Sequence, residues 1–258
     1  MRLTILKLIL TPLLIAAATS ASRRWGPVAG GWFAGLPLTS GPVSVFLALE
    51  QGAPFAAQAA QATLLGMVAV VVFCVAYARA ARVLPWPGAV AVGLGFYLLI
   101  VVLLSFVSPG LAVATVATLV LAWVALGGFA AGASDARTAA SPRWELPLRM
   151  IVAAIIVLGL TGAASRLGPR WSGLLSPFPV FAGVMAVFTH RFGSATAAQR
   201  LLRGVVVGSF AFASFFLIAA LVLPRTSLLV AYSLATCVAL AVQTITLVTL
   251  VVPAPSPS

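Results

Sequence analysis

Acid–base catalysis needs a pair of titratable groups, metal ligation a cluster of His, Cys or carboxylates, and nucleophilic attack a hydroxyl or thiol beside a base. This chain offers three acids (Glu50, Asp135, Glu145), one histidine (His190) and two cysteines (Cys74, Cys237) in 258 residues. Their spacing builds no metal site, no Ser, His and Asp set and no disulfide framework, and no glycine loop of phosphate-cradling spacing is present. The sequence predicts no enzyme, no cofactor and no metal.

A different chemistry remains, that of polar groups placed inside apolar runs. Pro37 and Pro42 interrupt the run VAGGWFAGLPLTSGPVSVFLAL (28–49), and Pro177 and Pro179 interrupt the second run at SPFPVFAG (176–183). Proline inside a helix frees backbone carbonyls, which in lipid persist only where they face protein or water. The breaks read either as the walls of a substrate path or as close packing through Gly31, Gly35 and Gly183. Thr39, Ser40 and Ser44 add hydroxyls to the first break, where Phe181 and Ala182 of the second stand opposite Thr39 and Ser40. Such hydroxyls either meet a ligand or bond back to their own helix.

Gln58 (with Gln61 one turn on), Gln199 and the deeper Gln243 are amides that must find partners, so the sequence places them toward the helix bundle. Arg200 and Arg203 share one helix face, either as part of a path or as headgroup contacts that snorkel to the surface. Lys7 and Arg149 read as snorkelling, His190 as interfacial, and Glu50 as the one acid outside the linker that a coupling cation could use. The expected substrate path is therefore Pro37, Thr39, Ser40, Pro179, Gln58, Gln199, Arg200 and Arg203.

The elements that must position these groups follow from composition. Hydrophobic residues make up 62% and charged ones 7%, far below the charge of a soluble domain, so the chain lives in a lipid bilayer. Lys and Arg number 15, but they stand singly or in pairs at the ends of apolar runs, which points to topology determinants and no nucleic acid. Apolar runs near 3–22, 28–49, 55–78, 86–107, 110–131, 147–165, 172–190, 195–223 and 226–252 predict about nine spans of an all-α bundle. The pair flanking Ser108-Pro109-Gly110 reads as a hairpin, GASDARTAASPRW (132–144) begins a polar linker, and the tail 253–258 reads as disordered.

Gly26, Pro27, Gly31, Pro37, Gly41, Val45 and Phe46 recur as Gly168, Pro169, Gly173, Pro179, Gly183, Val187 and Phe188 at a constant offset of 142. Lys7 falls the same distance before Arg149, which argues that the first run is a retained span and no cleaved signal. The reading is a four-span repeat (1–107), a connecting span (108–131), a linker (132–146) and a second four-span repeat (147–252). An even unit plus one extra crossing inverts the second copy, giving an inverted 4+1+4 bundle. On that count Arg23, Arg24, Arg79, Arg82, Arg137, Arg143, Arg149, Arg191, Arg200 and Arg203 share one side, which the positive-inside rule makes cytoplasmic. The N-terminus is then expected outside.

AGLPLTSGP (34–42) and SPFPVFAG (176–183) resemble the short Gly/Leu and Pro signature of small bacterial inner-membrane proteins of the GlpM type, here duplicated, although Pro42 has no counterpart at Val184. The resemblance implies a multi-pass protein of the bacterial inner membrane and carries over no catalytic or binding residue. Two functions fit the sequence: a small permease for an anionic or neutral solute, or a non-transporting structural, assembly or lipid-binding protein of the cell envelope. The partners expected are the lipid bilayer and a small solute.

Overall fold

The computed structural model describes residues 13, 16–37, 40–129, 144–164 and 168–251, the side chains of 145, 157–164, 168, 169, 172, 250 and 251 aside. All the regular structure among them is helical: α1 (16–25), α2 (Pro27–Ala34), α3 (Ser40–Gln51), α4 (Ala53–Ala80), α5 (Trp86–Ser105), α6 (Leu111–Gly127), α7 (Glu145–Ala164), α8 (Gly168–Leu175), α9 (Val180–Phe192), α10 (Ala195–Val222) and α11 (Leu228–Thr246), the last widening into a π-helical stretch at Leu247–Val251. The linker as far as residue 143, the tail, Lys7 and Thr39 lie outside the described residues, whereas Glu145 and Leu146, read from the sequence as the end of the linker, are the first residues of α7.

Glycine, proline and serine set the boundaries. Gly26 and Gly52 sit at φ 90° and 88°, a conformation that side chains rarely adopt, and they turn the chain between α1 and α2 and between α3 and α4. Pro27, Pro54 and Pro87 stand in the first turns of α2, α4 and α5, where a missing N–H costs no helical bond. The Ser194 and Ser227 hydroxyls accept from the Ala197 and Val230 N–H groups at the starts of α10 and α11. The two proline-bearing runs are broken as expected, into α2 and α3 and into α8 and α9.

Five segments are long and apolar enough to cross a membrane: α4, α5, Gly173–Phe192, α10 and Leu228–Thr249. With this composition they make the chain an integral membrane protein. Helices α4 and α10 form the centre, burying Leu64, Phe73 and Tyr77 from one and Leu201, Phe212 and Phe216 from the other. Helices α5 and α11 are peripheral and turn Phe96, Leu99, Leu103, Leu229, Leu234 and Leu240 outward, the surface a lipid-facing helix presents.

Each broken run lies along the long helix of the other half. A side chain at Gly31 would run into the Leu201 carbonyl and one at Gly204 into that of Val28, while Gly41 faces Phe215, so α2 and α3 follow α10 in one direction without turning back. In the same way Gly173 faces Ala59 and Ala62, Gly66 faces Leu174 and Pro177, Gly183 faces Phe73, and Tyr77 meets His190, so α8 and α9 follow α4. Because α3 ends where α4 begins, and α9 where α10 begins, α4 and α10 run antiparallel. The contacts are mirrored residue for residue at the sequence offset of 142: Gly31 with Leu201 against Gly173 with Ala59, Gly208 with Trp32 against Gly66 with Leu174, and Gly41 with Phe215 against Gly183 with Phe73.

The same directions sort the charges. Arg23, Arg24, Arg79, Arg82, Arg149, Arg191, Arg200 and Arg203 gather at one end of the bundle, and Glu50, Arg170 and Arg225 lie at the other. At that second end the Arg170 guanidinium donates to the Ser108 hydroxyl (2.6 Å) and to the Leu104 and Val107 carbonyls, and Gln61 donates to the Pro109 carbonyl (2.8 Å). The turn between α5 and α6 is thus tied to α8 and α4.

Candidate functional site

The two breaks meet in the middle of the bundle. A cavity of about 40 Å³ lies between them, lined by Ala34, Gly35, Leu36 and Ser40 of the first break and by Pro177 to Pro179, Phe181 and Ala182 of the second. Met67 and Val70 of α4 and Val205 and Phe212 of α10 close its sides. That volume holds about three or four water molecules, since one needs roughly 10–15 Å³ by this measure. No charged side chain is among the described lining residues.

Ser40 joins the breaks. Its side chain is 3% exposed, and its hydroxyl donates to the Ser176 carbonyl at 3.1 Å, an acceptor that the break leaves outside any helix. It therefore reaches across to the other half and does not bond back to its own. Four helix ends face this region: the C-termini of α2 and α8 and the N-termini of α3 and α9. Their polar groups are partly met within the chain, Gly41 N–H donating to Pro37 O and Gly183 N–H to Pro179 O, each at 2.7 Å. The carbonyls of Trp32 and Leu174, equivalent positions one turn before each break, accept from Gln243 (3.1 Å) and Tyr97 (3.5 Å).

Of the residues the sequence singles out, Ser40 and Pro179 line the cavity and Pro37 stands between two stretches of its wall. Gln58, Gln199, Arg200 and Arg203 do not line it. Gln58 is exposed on the second turn of α4, which corrects the expectation that it faces the bundle: near the end of the helix water or headgroups can satisfy the amide. Gln199, Arg200 and Arg203 are half-buried at the start of α10, at the arginine-rich end. The offset of the mirrored contacts makes Gln58 and Gln61 the positional equivalents of Arg200 and Arg203.

Arg149 is a second correction. It is 5% exposed and does not snorkel; one Nη donates to the Met185 sulfur at 3.1 Å and the guanidinium lies 5.2 Å from the Phe188 ring centre. Thr19 of α1 donates to the same sulfur at 3.3 Å, so the opening helices of both halves converge on α9. Ser44 likewise spends its hydroxyl on the Tyr232 hydroxyl of α11 at 2.8 Å. The sequence does not single out Met67, Val70, Val205 and Phe212 as cavity walls, because nothing distinguishes them from the apolar residues around them.

The chain matches no family model, no curated protein and no solved structure. Its function has to be argued from the two breaks and the groups they bring together.

Proposed function

We propose that the protein is a small permease of the inverted-repeat type, with its solute path where the two broken segments pass each other. The observation that carries this reading is the convergence of both breaks on one cavity, bridged by the Ser40 hydroxyl. Helix breaks at matching depth in two inverted halves are how many transporters place backbone polar groups at the bilayer midplane. The mirrored glycine contacts and the antiparallel course of α4 and α10 support an inverted 4+1+4 arrangement with about nine crossings. The gathering of eight arginines at one end supports that end as cytoplasmic, with the N-terminus outside. We place the protein in the bacterial inner membrane on the strength of its GlpM-like signature, and assign it no catalytic step.

The cavity favours the neutral of the two solute classes, because its described wall offers a hydroxyl, backbone groups and apolar surface and no charge to pair with an ion. At about 40 Å³ it admits only a very small molecule. A larger solute requires Phe181, Phe212 and Met67 to swing aside.

A structural role is favoured by a separate observation. Glycine lets the backbones of α2 and α10, and of α8 and α4, touch directly, the packing expected of a rigid membrane scaffold. The experiment that separates the two replaces Ser40 with alanine, and separately Pro37 and Pro179, and compares small-solute uptake or tolerance in cells holding equal amounts of folded protein. A permease loses uptake in these variants; a scaffold keeps its phenotype as long as it folds.

A further inference from the structure

The two halves solve one structural problem in different ways, and the difference leaves polar atoms unused. At the end of α8 the Leu174 carbonyl accepts from Tyr97, and the residues equivalent to Trp32 and Gln243 in that half are apolar, Leu174 itself and Val101. At the end of α2 the Trp32 carbonyl accepts from the Gln243 amide nitrogen. That bond caps the half-helix as Tyr97 does, but it brings an indole N–H and an amide oxygen into the interior. Gln243 is 2% exposed, and both its Oε1 and Trp32 Nε1 are buried without a hydrogen-bond partner among the described residues. Tyrosine does the capping without this cost, since a buried donor or acceptor left unmet keeps its desolvation penalty with no bond to offset it.

We propose that Trp32 and Gln243 form a binding site for one small neutral molecule that both accepts and donates a hydrogen bond, seated where α11 meets α2. The indole N–H donates to the molecule's oxygen, and Gln243 Oε1 accepts from its O–H or N–H. A single hydroxyl, a primary amide or a water satisfies both; a simple ion satisfies only one, since an anion accepts from the indole but gives nothing to Gln243 Oε1 and a cation does the reverse. The site is distinct from the central cavity, whose described lining contains neither residue, and it stands whether or not the protein transports anything.

The test uses the full-length protein in detergent micelles with tryptophan indoles labelled with nitrogen-15, the Trp32 signal being assigned by its loss in Trp32→Phe. The expected result is an indole N–H at a hydrogen-bonded shift. If it shows magnetisation transfer from water and does not respond to solutes, the bound molecule is water; if it moves saturably with added urea or glycerol, the bound molecule is an organic amide or alcohol. A double-mutant cycle of Trp32→Phe with Gln243→Val gives an independent readout. Two groups sharing one bound molecule predict that each single change lowers the melting temperature and that the pair together costs less than the sum. An indole signal without a hydrogen-bonded shift, without water contact and unmoved by urea or glycerol overturns the proposal, as does an additive gain in stability from the two changes.

Discussion

Replacing Gly208 with alanine tests the interlocked packing of the halves at its closest approach to the breaks. A Cβ built there lies 2.6 Å from the Trp32 carbonyl oxygen of α2 and 2.7 Å from the Cα of Gly35, which follows it, both backbone atoms that no rotamer change can move. Reaching the 3.4 Å of an ordinary contact requires the two helices to part by about 0.8 Å. A gap of 0.5–1 Å forfeits roughly a quarter to a half of the dispersion well for each atom pair it opens. Overpacking of this kind costs about 1–3 kcal/mol, against which alanine returns up to about 1 kcal/mol of helix propensity. The expected net loss is about 1–2 kcal/mol, read as reversible unfolding in mixed micelles of mild detergent and dodecyl sulfate. Gly95→Ala on α5, where a Cβ meets nothing within 4 Å, is the control and should be neutral or slightly stabilising. Gly66→Ala, the equivalent site against Pro177, should lose stability as Gly208→Ala does. A Gly208→Ala protein as stable as the Gly95→Ala protein would refute direct backbone contact between α2 and α10.

Three further outcomes are expected. Arg170→Ala should speed hydrogen exchange of the amides around 104–110 and lower stability by about 1 kcal/mol, and Arg170→Lys should not restore it, since a single ammonium cannot reach the Ser108, Leu104 and Val107 acceptors in the forked geometry of arginine. In a double-mutant cycle, Ser44→Ala and Tyr232→Phe should show a coupling of about 1 kcal/mol, because they share one buried 2.8 Å hydrogen bond; additive losses would mean the bond contributes nothing. Reporter fusions after Arg24 and Arg170 should report opposite faces of the membrane, with Arg24 cytoplasmic, and the same face for both would remove the inversion.

What the sequence reveals here depends on whether polarity changes with position. Pro37 and Pro179 mark the breaks, and Ser108-Pro109-Gly110 marks the turn between α5 and α6, because missing donors and turn residues act locally. The charge bias is legible for the same reason, since arginines at run ends need no tertiary information. The faces of α4 and α10 are not legible. In a soluble protein a change from apolar to polar shows which side is buried, but here protein core and lipid are both apolar. Gly66 and Gly208 therefore look like any glycine in a membrane helix, although they are among the points where one half touches the backbone of the other. Gln58 and Arg149 mislead in opposite directions for a related reason: a polar side chain one turn from a helix end can reach outward to headgroups or inward to a sulfur and an aromatic ring, and only the neighbouring helix decides which.

The reading of the breaks as a path is tested most directly at Ser40. Ser40→Cys is placed in a protein whose Cys74 and Cys237 have been replaced, reconstituted in vesicles, and treated with methyl methanethiosulfonate, a small neutral thiol reagent. Val206→Cys, fully buried on α10 and outside the cavity lining, serves as the reference in the same background. A path that opens to water predicts that position 40 reacts several times faster than position 206 and that a small neutral solute carried by the protein slows the reaction. Equal, negligible reaction at the two positions would contradict the path and leave the breaks as packing alone.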